Sequence, residues 1–86
     1  MSQVTLYTSQ HCPYCRMAEQ LLARRDAGPL SRIRGDLDPQ ALRAMIDKSG
    51  RRTVPQIFVG ERHVGGYDDL ARLDSAGELA TLLADC

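Results

Sequence analysis

The stretch QVTLYTSQHCPYC, residues 3–15, changes its hydrophobic period midway, and this change constrains the fold more than any other feature of the chain. Val4 and Leu6 alternate with polar neighbours among β-forming residues, which predicts a strand over 3–8. From Pro13 onward Ala18, Leu21 and Leu22 fall on one helical stripe, and the stripe stops at RRDAGP, where Gly28 and Pro29 break it. A strand running straight into a helix reads as the start of a crossover unit, so a parallel partner strand is expected to follow. The junction itself holds two cysteines three residues apart, and Cys12 sits at the N-terminus of the helix.

The stretch LSRIRGDL (30–37) supplies the expected second strand, interrupted by Gly35. DPQALRAMIDKSG then predicts a helix with Asp38 as N-cap, Pro39 at its first position, Leu42, Met45 and Ile46 on its apolar face and Gly50 as its stop. QIFVG and RHVGG are two β-rich runs joined by a short Gly-Glu turn, the pattern of a hairpin. YDDLARLD returns to helical spacing with acids in its first turn, and GELATLLA continues that helix after a break at Gly77. The order is βαβαββα. Two βα units and a hairpin imply an α/β fold with a four-stranded mixed sheet and helices on both faces. A chain of 86 residues buries about 60–65% of its unfolded surface, which suits one domain over 1–86 and leaves no room for a second.

Eleven basic residues balance eleven acidic ones, so net charge supports neither nucleic-acid binding nor a membrane-surface role. Ten of the eleven basic residues are arginine, and ARR, RIR and GRR read as solvated faces or, alternatively, as a small-anion site. No apolar run approaches the roughly 18 residues of a membrane span. The strand pattern begins at Val4, so no signal peptide is expected, and a cytoplasmic location follows as the expectation. Three cysteines without a regular array argue against a disulfide-stapled secreted scaffold.

A C-x-x-C is read as redox-active or as half of a metal site. Zinc takes four ligands, and His11, His63 and Cys86 are what the chain offers to complete the set. The helix start favours redox chemistry, because unpaired N–H groups and the helix dipole stabilise an anion where the Cys12 sulfur lies. Pro13 suits that position, with its φ preset and no N–H to leave unpaired. Cys15 lies about 60° around the helix and ~4.5 Å further along it, so the sulfurs can meet with Cys12 outermost. The dipole contributes roughly 0.3–1 kcal/mol, at most ~2, against about 1.4 kcal/mol for one pKa unit. A thiol ionised well below pH 7 therefore also needs N–H···S hydrogen bonds, with Arg16 or protonated His11 as further help. The main benefit is to make Cys12 a good leaving group. Tyr14 reads either as ordinary surface or as a flank for the substrate, and Cys86 as a bystander thiol.

CPYC at 12–15, TVP at 53–55 and GGYDD at 65–69 resemble, in this order and spacing, a dithiol glutaredoxin of the small bacterial type, over nearly the whole chain. The resemblance implies a thioredoxin-like fold, glutathione as reducing co-substrate, no metal, and a cis Pro55 facing the dithiol. It makes Cys12 the attacking and Cys15 the resolving thiol in a glutathione-dependent thiol–disulfide oxidoreductase. Its clients would be disulfide-containing or glutathionylated proteins, ribonucleotide reductase among the candidates, and the protein a monomer. Glutathione would meet Tyr14, Arg51, Thr53, Val54, Pro55, Gly66, Asp68 and Asp69. The Val54 backbone would pair with its cysteine as an added strand, and the helix opened by Tyr67, Asp68 and Asp69 would offer N–H groups to its γ-glutamyl carboxylate. The expected potential is roughly −200 to −230 mV. The alternatives are reduction by thioredoxin reductase in support of ribonucleotide reductase, or an iron–sulfur or zinc carrier, against which the stiffening Pro13 speaks. Segment 24–37 departs most from the family pattern. Many members also carry a lysine three residues before the first cysteine, where this chain has Ser9. Arg51 is expected to supply part of that charge, with Gln56 as a neutral contributor.

Overall fold

β1 (Val4–Thr8) lies inside the sheet because it is bonded along both edges, in parallel to β2 (Leu30–Arg34) and antiparallel to β3 (Gln56–Val59). β4 (Arg62–Gly65) follows antiparallel to β3, which gives the order β2-β1-β3-β4. The remaining elements are helices α1 (Pro13–Arg24), α2 (Pro39–Ser49), α3 (Tyr67–Ser75) and α4 (Glu78–Ala84). This architecture comes from a computed structural model that describes residues 3–84. Among them no helix is long and apolar enough to cross a membrane.

Strand alternation sends successive side chains to opposite faces, and the core divides accordingly. Val4, Leu6, Ile57 and Val59 face α1, α3 and α4, packing with Ala18, Leu21, Leu22, Leu70 and Leu79. Tyr7 and Phe58 face the other way onto Met45 of α2. The expected mixed sheet with helices on both faces is thus present. Asp38 caps α2 through its carboxylate, which accepts the Gln40 N–H at 3.0 Å, and Gly50 closes the helix in the left-handed region at φ 71°.

The structure departs from the sequence expectations in three places. The second strand stops at Arg34 rather than Leu37, because past the last bond to β1, from the Gly35 N–H to the Thr8 carbonyl, the Leu37 N–H turns back to the Arg34 carbonyl at 3.2 Å. Leu42 is not a core residue. It is 36% exposed, while Met45 on the same helix is fully buried. The C-terminal segment is two helices, α3 and α4, so the order is βαβαββαα, and Gly77 at φ 77° makes the corner between them.

Leu22 lies at 0% exposure in the larger cluster, so Leu22→Ala should lower the unfolding free energy by about 2–5 kcal/mol. Leu37→Ala, at a position 71% exposed, should change it by less than about 0.5 kcal/mol. Urea unfolding checks both, and similar effects at the two sites would contradict this division of the core.

Candidate active site

Between β1 and α1 the chain makes a short turn, and Cys12 ends it as the N-cap of α1, with an extended backbone. The turn is tied from outside: the Asp36 carboxylate accepts the Gln10 N–H at 3.2 Å and the Arg34 guanidinium at 2.7 and 2.8 Å. The Arg34 bonds, reinforced by the Gln10 N–H, lower the Asp36 pKa to about 2. Cys12 and Cys15 are joined as a disulfide, with their Cα atoms 5.2 Å apart. Cys12 is 9% exposed and Cys15 2%, so the first sulfur is the reachable one. The Cys15 N–H points at the Cys12 Sγ from 3.2 Å. Here that sulfur is half of a disulfide. A thiolate in its place would accept the same N–H more strongly, because its charge adds to the bond.

Across from the sulfur lies the loop between α2 and β3. The Val54–Pro55 peptide bond is cis, and the Val54 carbonyl oxygen is 3.9 Å from the Cys12 Sγ. With the disulfide closed the sulfur has no hydrogen, so this approach is a contact and not a hydrogen bond. The loop is held at its start by Ser49, whose hydroxyl accepts the Arg51 N–H at 3.0 Å and donates to the Met45 carbonyl at 2.6 Å. At its end the Gln56 amide donates to the Thr53 carbonyl at 3.0 Å.

The third wall is the start of α3. Asp69 bends back so that its carboxylate accepts the Gly66 N–H at 2.9 Å, one half of a capping box. The same oxygen takes the Arg51 guanidinium at 3.1 Å. Both contacts hold the Asp69 carboxyl below its usual range, the Gly66 N–H most and Arg51 next. Gly65 has to be glycine here, since its φ is 119° and a Cβ would run into the Asp69 carboxylate.

These walls enclose an open cavity of 210 Å³ beside the disulfide. Tyr14 lines it from α1; Arg51, Thr53, Val54 and Pro55 line it from the loop; Gly66, Asp68 and Asp69 line it from α3. The eight non-cysteine candidates therefore share one cavity. Two more residues join them, Tyr67 from the expected helix start and Gln56, the expected neutral contributor. Tyr67 packs its ring 6.2 Å from that of Tyr14, and Gln56 sits beneath the loop. The GGYDD run places Tyr67 at the start of α3, and the structure adds its ring to the cavity wall. The Gln56 side chain is not available as a neutral contributor, because it is 1% exposed and bonded at both ends. The Arg51 guanidinium is engaged with Asp69. Ser9 and Arg16 stand outside the cavity lining, His11 is exposed, and Cys86 lies outside the described residues. Among the described residues no three His, Cys, Asp or Glu side chains converge as metal donors would. A larger hollow of 360 Å³ on the α2 side, lined by Tyr7, Lys48 and Phe58 among others, has no cysteine in its lining, so size does not identify the reactive site.

Comparison with known proteins agrees with this geometry. The glutaredoxin family profile matches residues 4–64. A glutaredoxin of Neisseria meningitidis is 51% identical over 83 residues, covering 96% of this chain and 98% of the relative. Glutaredoxin 3 of Escherichia coli K12 is 42% identical, covering 96% and 99%. Among solved structures, a Brucella melitensis glutaredoxin superposes with TM-score 0.83 at 44% identity over 96% of this chain and 89% of its own. A buckwheat glutaredoxin–glutathione complex superposes with TM-score 0.87 at 25% identity over 99% and 79%. A dithiol at a helix N-terminus, faced by a proline loop on a four-stranded mixed sheet, and these matches together make the chain a member of the glutaredoxin family, thiol–disulfide oxidoreductases of thioredoxin-like fold.

Proposed function

We propose that this glutaredoxin uses glutathione as its reductant and acts on protein disulfides and protein–glutathione mixed disulfides through Cys12 and Cys15. The observation that carries the reading is the cavity itself, which begins next to the Cys12 sulfur and ends at the N-terminus of α3. The thiol of glutathione is on its middle residue, so with that sulfur at Cys12 one arm of the tripeptide extends along the cavity towards that terminus. Along the way the Val54 backbone is available to pair with the tripeptide backbone as an added strand. At the far end the first N–H groups of α3 favour an α-carboxylate, with Asp68 and Asp69 near its ammonium group. The related buckwheat protein, solved as a glutathione complex, supports this reading.

The chemistry follows from the exposure difference. The Cys12 thiolate attacks the glutathione sulfur of a mixed disulfide, and the client leaves as its thiolate. A second glutathione thiolate then attacks the glutathionyl sulfur on Cys12, forming oxidised glutathione and returning the Cys12 thiolate. On a protein disulfide, Cys12 forms the mixed disulfide with the client, and the Cys15 thiolate displaces the client's second thiolate. This leaves the Cys12–Cys15 disulfide, which two glutathiones reduce. Cys15 is buried behind Cys12, so it can resolve but is poorly placed to attack.

Three outcomes test the reading. In the reduced protein Cys12 should be the first thiol alkylated by iodoacetamide at pH 6, since it receives an N–H from the open helix end; prior modification of Cys15 or Cys86, read by mass spectrometry, would reverse the roles. Cys12→Ser should lose all activity, whereas Cys15→Ser should still deglutathionylate a peptide but no longer reduce a protein disulfide. Loss of both activities in Cys15→Ser would exclude the monothiol route, in which a second glutathione replaces the resolving thiol. Arg51→Glu would set a carboxylate against Asp69 and remove a cation from the cavity. It should raise the glutathione requirement by several-fold but less than about tenfold, the scale of an exposed ion pair, and more so at low salt. Unchanged glutathione kinetics at low ionic strength would place the needed charge elsewhere.

A further inference from the structure

His63 on β4 is outside the cavity lining, yet only one side chain separates it from the loop that forms the cavity wall. That side chain is Gln56, and its orientation follows from what it touches. The Gln56 Nε2 lies 3.0 Å from the Thr53 carbonyl oxygen and 3.3 Å from the Thr53 Oγ1. A carbonyl can only accept, so the amide nitrogen, not the oxygen, must face Thr53. The Gln56 Oε1 is thereby turned to His63, 2.7 Å from Nε2. An amide oxygen also can only accept, so the His63 proton has to sit on Nε2. The ring is held in place by Phe58, whose centroid is 4.9 Å away with the planes 34° apart. Burial, then the nearby Arg51 charge, holds the imidazole below its ordinary proton affinity, with Asp69 opposing them.

The consequence reaches the cavity through Thr53. The Gln56 amide nitrogen meets Thr53 twice, at the carbonyl and at the hydroxyl oxygen, and so occupies the hydroxyl as an acceptor. The hydroxyl's own hydrogen has no acceptor among the described residues, and Thr53 lines the cavity with its side chain exposed. We infer that His63 and Gln56 are positioning residues that orient the Thr53 hydroxyl as a hydrogen-bond donor to the peptide bound in the cavity, and so favour a glutathionyl disulfide over other disulfides. This rests on the glutathione reading above and adds a specificity element reaching back to β4. Neither residue touches the reacting sulfurs, His63 stands outside the cavity lining and Gln56 lies almost fully buried beneath the loop, so their effect belongs to binding and not to the sulfur exchange.

The tautomer is tested without any ligand. Nitrogen-15 spectra of the imidazole at pH 8 should show His63 protonated on Nε2; protonation on Nδ1 would overturn the relay. The function is tested by kinetics on a glutathionylated peptide and on a peptide disulfide lacking glutathione. His63→Phe keeps the stack on Phe58 and removes the donor. It should raise KM for the glutathionylated peptide about 3- to 10-fold, the scale of one neutral hydrogen bond, with kcat unchanged. The peptide disulfide and the Cys12 alkylation rate should be unaffected, and His63→Gln, which restores an N–H, should recover part of the loss. Thr53→Val should show the same KM effect, and His63→Phe combined with it should be no worse than Thr53→Val alone. Additive losses, or equal losses on both substrates, would mean that His63 is merely structural. Should His63→Phe fold poorly, Gln56→Met read against Thr53→Val gives the same cycle. A wild-type protein that does not prefer the glutathionylated peptide would overturn the glutathione reading and the relay with it. A wild type that does prefer it, with variants equal to wild type, would overturn the relay alone.

Discussion

With β1 hydrogen-bonded along both edges, its position is the constraint on which the site depends. A strand paired in parallel on one side and antiparallel on the other cannot slide without turning Val4 and Leu6 out of one core and Tyr7 out of the other. Its C-terminal end is therefore fixed, and Cys12 stands four residues beyond it. The antiparallel partner β3 begins at Gln56, so the cis Val54–Pro55 segment arrives at the same end of the sheet as the dithiol. Packing of two apolar layers thus decides where the sulfur and the loop meet, although neither layer contains a reactive group.

The polar framework around the site is built differently from the core. Surface pairs such as Arg25 with Asp74, at 2.6 Å, are exposed and contribute little net stability. The Asp36 and Asp69 carboxylates do more, because each joins a guanidinium to a backbone N–H on a different segment. Asp36 fastens the turn ahead of Cys12 to the end of β2. Asp69 fastens the loop after α2 to the first turn of α3. Both carboxyls have depressed proton affinity, so these two ties persist until the medium is more acid than an ordinary carboxyl requires. The cavity beside Cys12 thus has the Arg51–Asp69 tie in its wall, while the Arg34–Asp36 tie steadies the turn that presents Cys12.

Much of this could be read along the chain. Pro13 after Cys12, Asp38 and Gly50 around α2, and the Gly-Glu turn between β3 and β4 act within a few residues, so local chemistry places them. The early end of β2 could not be read, because Gly35 bonds to Thr8 and Asp36 to Gln10, both far away in sequence. Leu42 has the right helical spacing for the core, but the residue beside it past the end of β2 is Gly35, which has no side chain to cover it. The corner at Gly77 was visible as a break, and the separate helix beyond it depends on Leu79 reaching the core under α3.

The sequence by itself determined the order of strands and helices, the helix start that presents Cys12, and the spacing that lets Cys15 close on it, since each follows from period, capping and chain geometry over one or two turns. Only the tertiary structure decided which polar groups meet. The Arg51–Asp69 pair spans 18 positions and the His63–Gln56 bond crosses from β4 to β3 beside an irregularity in their register. A hydrogen bond is lost over a fraction of an ångström or a few tens of degrees, and such tolerances are set by how strands and helices pack, not by the residues at either end of the bond.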